Sequence, residues 1–524
     1  MQSRDVLALA TCVLLFAILI APLRDAVVDD TYIHLQYARN LAEAGELSFN
    51  RGYPAYGATS PLWVALLALF HRAGADLLVW CRVLSWFFGV LSIVLVYRIT
   101  VALDGRTVAP FAAALVCAAE AWFLRWAAVG METSFAVFMV LLVVYTSLTA
   151  ARSAARSALF GLVLLLAVLT RPEILLMVPL AVVAFALARE GTPLRRFAFL
   201  PVFLGLFAIW LYLIHRHTGN YFPLTAGAKQ GRPVLSPVVF GRALIPARIM
   251  GATVLLPWLS LLAGLGIGAW RHKSLGSLFG ETTSIREAPG TILILMWSFA
   301  LPLAYVLLDF QVLSRYLVPV MPGVIVLGVV AWRRIASRLW RGPGGQRYAV
   351  AVFAAVAIMQ SVSVYLAVVV PPTQRFSRAL ETTIAGMGKW LEKNSDADAV
   401  VATPDIGAIG YFSRRRILDL GGLISPEINR MRNTIDVERI IEEGLYLEFG
   451  PDYLVDRSET AERFSGKIIK DVLCVPVMRG DVPNLGIRKP EPVVYVLYRL
   501  EKVRPRGEAI EDSRARHSGR YTAG

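Results

Sequence analysis

Two adjacent carboxylates, Asp29 and Asp30, close the first apolar run and open the segment Val-Val-Asp-Asp-Thr-Tyr-Ile-His-Leu-Gln-Tyr-Ala-Arg-Asn-Leu. Neighbouring like charges push the two protonation steps apart, so such a pair suits a general base or a ligand set for a divalent metal such as Mg or Mn. Further candidates also stand at the ends of apolar runs. Arg125 and Glu132 lie seven residues apart, about two turns on an unbroken helix. Arg171 sits in Thr-Arg-Pro-Glu, where an arginine at a lipid boundary is costly unless Glu173 pairs it or it faces a wet cavity. Lys229 is a point charge fit for a phosphate oxygen, and Arg315 is a second such cation or an ordinary snorkelling arginine. His215 and His217 form an H-x-H pair, but at 3.6 residues per turn their side chains diverge by about 200°, which argues against a metal site.

The elements that must hold these residues are membrane helices. Of 524 residues 56% are hydrophobic and 17% charged, against about 25% charged in a soluble domain, and the mean hydropathy is +0.58. Disorder and coiled coil are thereby excluded. About eleven apolar runs read as spans: Val6 to Leu23, Leu77 to Thr100, Thr107 to Ala121, Thr133 to Ala150, Ala158 to Thr170, Ile174 to Ala188, Phe197 to Ile214, Ile249 to Trp270, Thr291 to Leu308, Tyr316 to Trp332 and Tyr348 to Val370. The first has a basic start but no small-x-small cleavage site, so it reads as an uncleaved span.

The formal charge of +15 invites a nucleic-acid reading, but most of it falls in alternate loops. Arg98 and Arg106, Arg152 and Arg156, Arg189 with Arg195 and Arg196, Arg271 with Lys273 and Arg286, and Arg333 to Arg347 share one side if the N-terminus is cytoplasmic. The expected localisation is a multi-pass cell membrane protein with the region after Val370 outside, and nucleic acid is not an expected partner. The four cysteines show neither a disulfide framework nor metal-ligand spacing.

The outer loops hold the candidates. In the first, residues 24–76, Ile33, Tyr37, Ala38 and Leu41 recur at helical spacing with Gln36, Arg39, Asn40 and Glu43 on other faces. This predicts an amphipathic helix lying at the interface, followed by a glycine-rich turn. Thr59 or Ser60 is placed to cap, and Pro61 to open, a second short helix reaching Phe70.

Asp29-Asp30-Thr-Tyr-Ile, Tyr37-Ala-Arg-Asn40, Phe49-Asn50, Thr59-Ser-Pro-Leu-Trp63 and Arg82-Val-Leu-Ser together resemble the first outer loop of GT-C glycosyltransferases, nearest the arabinofuranosyltransferase-like branch. That superfamily also holds the aminoarabinose lipid A transferases and the protein O-mannosyltransferases. The resemblance implies an α-helical polytopic GT-C fold and a polyprenyl-phosphate sugar donor. It implies an envelope glycan, lipid or protein as acceptor, and membrane lipid as surroundings. It places Glu132 at the position of a second acidic residue, and Lys229 and Arg315 at positions contacting phosphate. Tyr32, Tyr37, Arg39, Arg125 and Arg171 complete the implied substrate-binding set. Asp29 or Asp30 then deprotonates an acceptor hydroxyl and the sugar inverts. The competing class, a transporter or flippase, tends to show midplane charges and internal repeats, and the sequence has no evident repeat.

From about Pro371 the composition changes. Residues 371–503 read as a small extracytoplasmic α/β domain, with a helix over Phe376 to Lys393, strands at Ala399 to Thr403, Ile417 to Leu420, Tyr453 to Asp456 and Val493 to Leu500, and a short helix at Ile406 to Phe412. Asp405 and Asp419 are placed to line a cleft but more in keeping with structural roles, and residues 504–524 read as a disordered tail.

Overall fold

The computed structural model describes residues 3–188, 191–224, 238–272, 289–310, 312–340, 342–432, 434–459, 462–484 and 492–503. The chain forms two compact units, Met1–Arg378 and Ala379–Gly524.

In the first unit each expected apolar run lies largely on helix, with turns inside Thr107 to Ala121 and Tyr316 to Trp332. Its helices are α1 (Ser3–Ile20), α2 (Asp29–Ala44), α3 (Pro61–Arg72), α4 (Leu77–Asp104), α5 (Ala109–Ala118), α6 (Ala121–Ala128), α7 (Thr133–Ala150), α8 (Ala154–Val168), α9 (Met177–Leu187), α10 (Pro193–Phe197), α11 (Phe199–Thr218), α12 (Val238–His272), α13 (Pro289–Leu307), α14 (Ser314–Leu317), α15 (Met321–Leu339) and α16 (Pro343–Val364). Among the described residues seven helices are long and apolar enough to cross a membrane, or eight if α5 and α6, bent by 53°, are one span. The remaining expected spans are shorter or carry more charge. α8 has 15 residues, and α15 ends on Arg333, Arg334 and Arg338.

Close approach of backbones sets the helix contacts. Where α15 crosses α12, Gly328 faces the backbone of Pro257, and a Cβ at Gly328 would lie 2.6 Å from Pro257 Cα. The carbonyl of Gly328 accepts a hydrogen bond from Ser260 Oγ at 2.9 Å. The buried side chain of Asp104 pairs with Arg333 and Arg334, which neutralises part of the charge at the end of α15.

The second unit is a mixed six-stranded sheet of order β2-β1-β3-β6-β5-β4, with β1 (Val400–Thr403), β2 (Arg416–Asp419), β3 (Tyr453–Ser458), β4 (Ile468–Ile469), β5 (Val472–Val482) and β6 (Val493–Lys502). β1 pairs in parallel with β2 and β3; the other pairs are antiparallel. The expected strands lie within a few residues of these. β4 and β5 are additions, and β5 is bulged between Pro476 and Met478, because proline supplies no ladder N–H. Helices at Pro426–Arg432 and Val437–Glu442 are likewise additions. Leu418, Leu420, Ile428, Ile440, Tyr446, Leu454 and Tyr498 build the core. The expected tail lies outside the described residues.

Candidate active site

α2 begins at the expected carboxylates. Val28 supplies the extended N-cap without a side-chain bond, and Asp29 and Asp30 occupy the first turn, where the helix dipole favours anions. The expected helix forms, but its polar face is not open to solvent: Thr31 to Asn40 are buried on nearly every face. The polar face is covered by the loop that follows. Gln36 Nε2 donates to the Phe49 carbonyl at 3.0 Å, and Asn40 Nδ2 to the carbonyls of Ser48 and Phe49 at 3.0 and 2.8 Å. Tyr37 donates its hydroxyl proton to the Ala55 carbonyl at 3.1 Å and accepts from the Gly57 amide at 3.2 Å, while Arg39 donates to Gln36. Tyr37 and Arg39 thus shape the loop. Tyr32, also buried, sits in the second half-turn of the same helix. Ser60 is the residue before α3 but makes no capping bond, and Pro61 opens the helix as expected.

The turn carrying Glu132 is fixed from two sides. Thr31 Oγ1 donates to the Val129 carbonyl at 2.9 Å, and Ser85 Oγ to the Met131 carbonyl at 3.1 Å. The helix bearing Arg125 does not run on to Glu132. α6 ends at Ala128, and Gly130 takes φ +73° where a Cβ would meet Cys81 Sγ at 2.6 Å. Arg125 and Glu132 are therefore on separate elements, and they are not paired.

Glu132 instead lies between His34 and Arg171, at 3.1 Å from His34 Nε2 and 3.2 Å from Arg171 Nη1. Arg171 also holds Glu173 at 2.6 Å, Tyr305 donates to Glu173 at 3.2 Å, and the Arg171 guanidinium lies 5.1 Å from the Tyr316 ring centre. Arg171 is thus paired with Glu173, the first of the two expected alternatives, and with Glu132 as well. Arg315, on α14, pairs with Asp30 and lies 3.2 Å from the Tyr316 hydroxyl. Its guanidinium is 5.7 Å from the Trp126 ring centre, and Trp126 donates to Ser314 Oγ at 2.9 Å.

One cluster thus joins Asp30 with Arg315, Trp126, Arg125, Tyr316, Arg171, Glu132 and His34, and Asp29 precedes Asp30 in the first turn of α2. His34, Trp126 and Tyr316 are the members that spacing alone did not single out, although His34 stands four residues after Asp30, on its helical face. Lys229 lies outside the described residues. His215 and His217 end α11 and serve locally: His215 stacks on Tyr221 at 4.1 Å, and His217 Nε2 accepts from the Leu47 amide at 3.2 Å. Among the described residues no group of three or more histidine, cysteine or acidic side chains is arranged to hold a metal ion.

In the second unit Asp419 is fully buried and accepts from the amides of Gly421, Leu423 and Ile424 at 2.7, 2.5 and 2.9 Å. Burial pushes its carboxyl up to about 6, and those amides oppose the rise. Asp405 accepts the Tyr495 hydroxyl at 2.5 Å, with Arg457 at 3.4 Å.

The arrangement can be set beside known structures. ArnT from Cupriavidus metallidurans, in a crystal structure with undecaprenyl phosphate bound, superposes with a TM-score of 0.60 at 15% identity, covering 94% of this chain and 98% of that one. The fold is that of the GT-C glycosyltransferases. The archaeal oligosaccharyltransferase AglB from Archaeoglobus fulgidus, in complex with an inhibitory peptide and a dolichol-phosphate, gives 0.55 at 13% identity over 87% of this chain and 70% of that one. The arabinofuranosyltransferase AftD from Mycobacteria gives 0.51 at 18% over 95% of this chain and 40% of that one. Residues 374–495 match a family described as a domain of unknown function, DUF8728. No curated protein matches the sequence.

Proposed function

We propose that this GT-C chain is an inverting glycosyltransferase that moves a sugar from a polyprenyl-phosphate donor to an envelope glycan, lipid or protein acceptor on the extracytoplasmic face. The observation that carries the reading is the Asp29-Asp30 pair at the start of α2, with Asp30 bridged to Arg315 from the far end of the unit. Undecaprenyl phosphate in ArnT and dolichol-phosphate in AglB support a lipid-phosphate donor.

The acceptor hydroxyl gives its proton to the Asp29 carboxylate, and its oxygen attacks the anomeric carbon from the side opposite the phosphate. The bond from that carbon to the phosphate oxygen breaks, its electron pair stays on the phosphate, and the configuration inverts. Both carboxylates stand in the first turn of α2, where the helix dipole favours an anion, and a base acts as the anion. Arg315 and Lys229 supply positive charge to the departing phosphate, and Arg171 holds Glu132 and Glu173 in place around it.

Asp29→Asn tests the assignment. Transfer should be abolished at unchanged expression, with accumulation of a polyprenyl-phosphate sugar and loss of one glycan residue by mass spectrometry of the envelope. A folded, fully active variant sinks the role of Asp29. Unchanged glycans with a lost transport activity would favour a transporter instead.

A further inference from the structure

We propose that Arg125 and Arg315 form a guanidinium pair that binds a tetrahedral oxyanion, with Arg125 as the member whose charge is held in reserve for it. The chemistry recognised is a phosphate, whether on a lipid or free; its assignment to the donor rests on the lipid-phosphate reading above.

Arg125 is 7% exposed, on a helix whose eight residues are all buried. Among the described residues no carboxylate pairs with it, and its buried Nε has no hydrogen-bond partner. The other buried arginines of the cluster differ: Arg171 has Glu132 and Glu173, and Arg315 has Asp30. Arg125 instead lies against Trp126, 5.0 Å from the ring centre, and Arg315 lies 5.7 Å from that same ring. Two buried like charges share one aromatic side chain, and the ion pair that Arg315 makes with Asp30 leaves Arg125 without a carboxylate of its own among the described residues.

A buried, uncompensated charge is costly, and an arginine near lipid is retained when it has an anion to meet. The reaction offers one. A donor phosphodiester bears one negative charge and the departing phosphate monoester up to two, so one further positive group is matched to the charge that develops as the bond breaks. The guanidinium fork suits a phosphate bidentately, which an ammonium cannot. A purely structural Arg125, anchored by its aromatic contacts, would have the opposite energetics: its removal would weaken the fold.

Arg125→Met separates the two. The full-length chain in lipid nanodiscs is titrated with undecaprenyl phosphate, undecaprenol and inorganic phosphate, following affinity and melting temperature. Lipid phosphate, and not undecaprenol, should stabilise the wild type. Arg125→Met should melt at the same or a higher temperature without ligand and bind lipid phosphate at least tenfold more weakly. Binding within twofold of wild type, a lowered ligand-free melting temperature or failure to fold overturns the pair and makes Arg125 a structural anchor. Equal binding of undecaprenol, or no binding of either phosphate source, overturns it as well. If inorganic phosphate protects as well as the lipid form, the oxyanion site stands and the lipid-donor reading falls. Transfer by Arg125→Met at unchanged KM and kcat refutes the pair and leaves the proposed reaction intact.

Discussion

Removing Arg171 should reveal how strongly the cluster is coupled. Its Nη1 lies 3.2 Å from Glu132, with both side chains 5% exposed, and its Nε lies 2.6 Å from Glu173. At an effective dielectric constant of about 20, unit charges 3.2 Å apart attract by about 5 kcal/mol, an upper bound on the Glu132 pair. Arg171→Met leaves Glu132 and Glu173 without their shared guanidinium, with His34 still against Glu132 and the Tyr305 hydroxyl against Glu173, and breaking a buried pair from one side costs about 3–5 kcal/mol. Glu132→Gln should cost less, about 1–2 kcal/mol, because Arg171 keeps Glu173 and glutamine can still accept its hydrogen bond. In the double variant the uncompensated Glu132 charge is gone, so its loss should fall below the sum of the single losses by about 2 kcal/mol. Unfolding followed by tryptophan fluorescence in a fixed detergent gives all four corners of the cycle. Additivity within about 0.5 kcal/mol would mean that the two residues do not act as one unit and would refute the reasoning.

Two further outcomes follow from the geometry. Gly328→Ala should destabilise the first unit by about 1–3 kcal/mol, since the new methyl meets the Pro257 backbone and α12 and α15 must separate; an unchanged melting temperature would contradict that contact. Asp419, raised to about 6 from an ordinary 3.8, holds its proton more tightly folded than unfolded. Its contribution is therefore fully present below about pH 3.8 and is lost as pH rises through about 6, a swing of about 3 kcal/mol. Amide exchange across residues 400–432, corrected for intrinsic rates, should quicken over that window in wild type and lose this pH dependence in Asp419→Asn.

The spans were legible because hydropathy needs only a window of sequence. α7 matches its apolar run residue for residue. The polar faces were not. Gln36, Arg39 and Asn40 look solvent-facing by periodicity, yet they are buried because the loop at Ser48 and Phe49 folds back over them, a closure that local pattern does not encode. The Asp29-Asp30 pair was legible as a chemical anomaly at the end of an apolar run. Its partner was legible only as a cation near another such end: nothing in either stretch says that Arg315 meets Asp30 rather than Glu132. The Arg125 to Glu132 spacing misled because Gly130, in a left-handed conformation, ends the helix between them. β5 escaped because its alternation is interrupted by Pro476 and by Arg479 and Asp481.

The Asp30–Arg315 bridge joins residues 285 positions apart. Most of the first unit has therefore been synthesised before Asp30 can meet this counter-ion. Until then this ion pair cannot form, and a chain stalled before residue 315 lacks it. The bridge is thus a contact that only a nearly complete first unit can close.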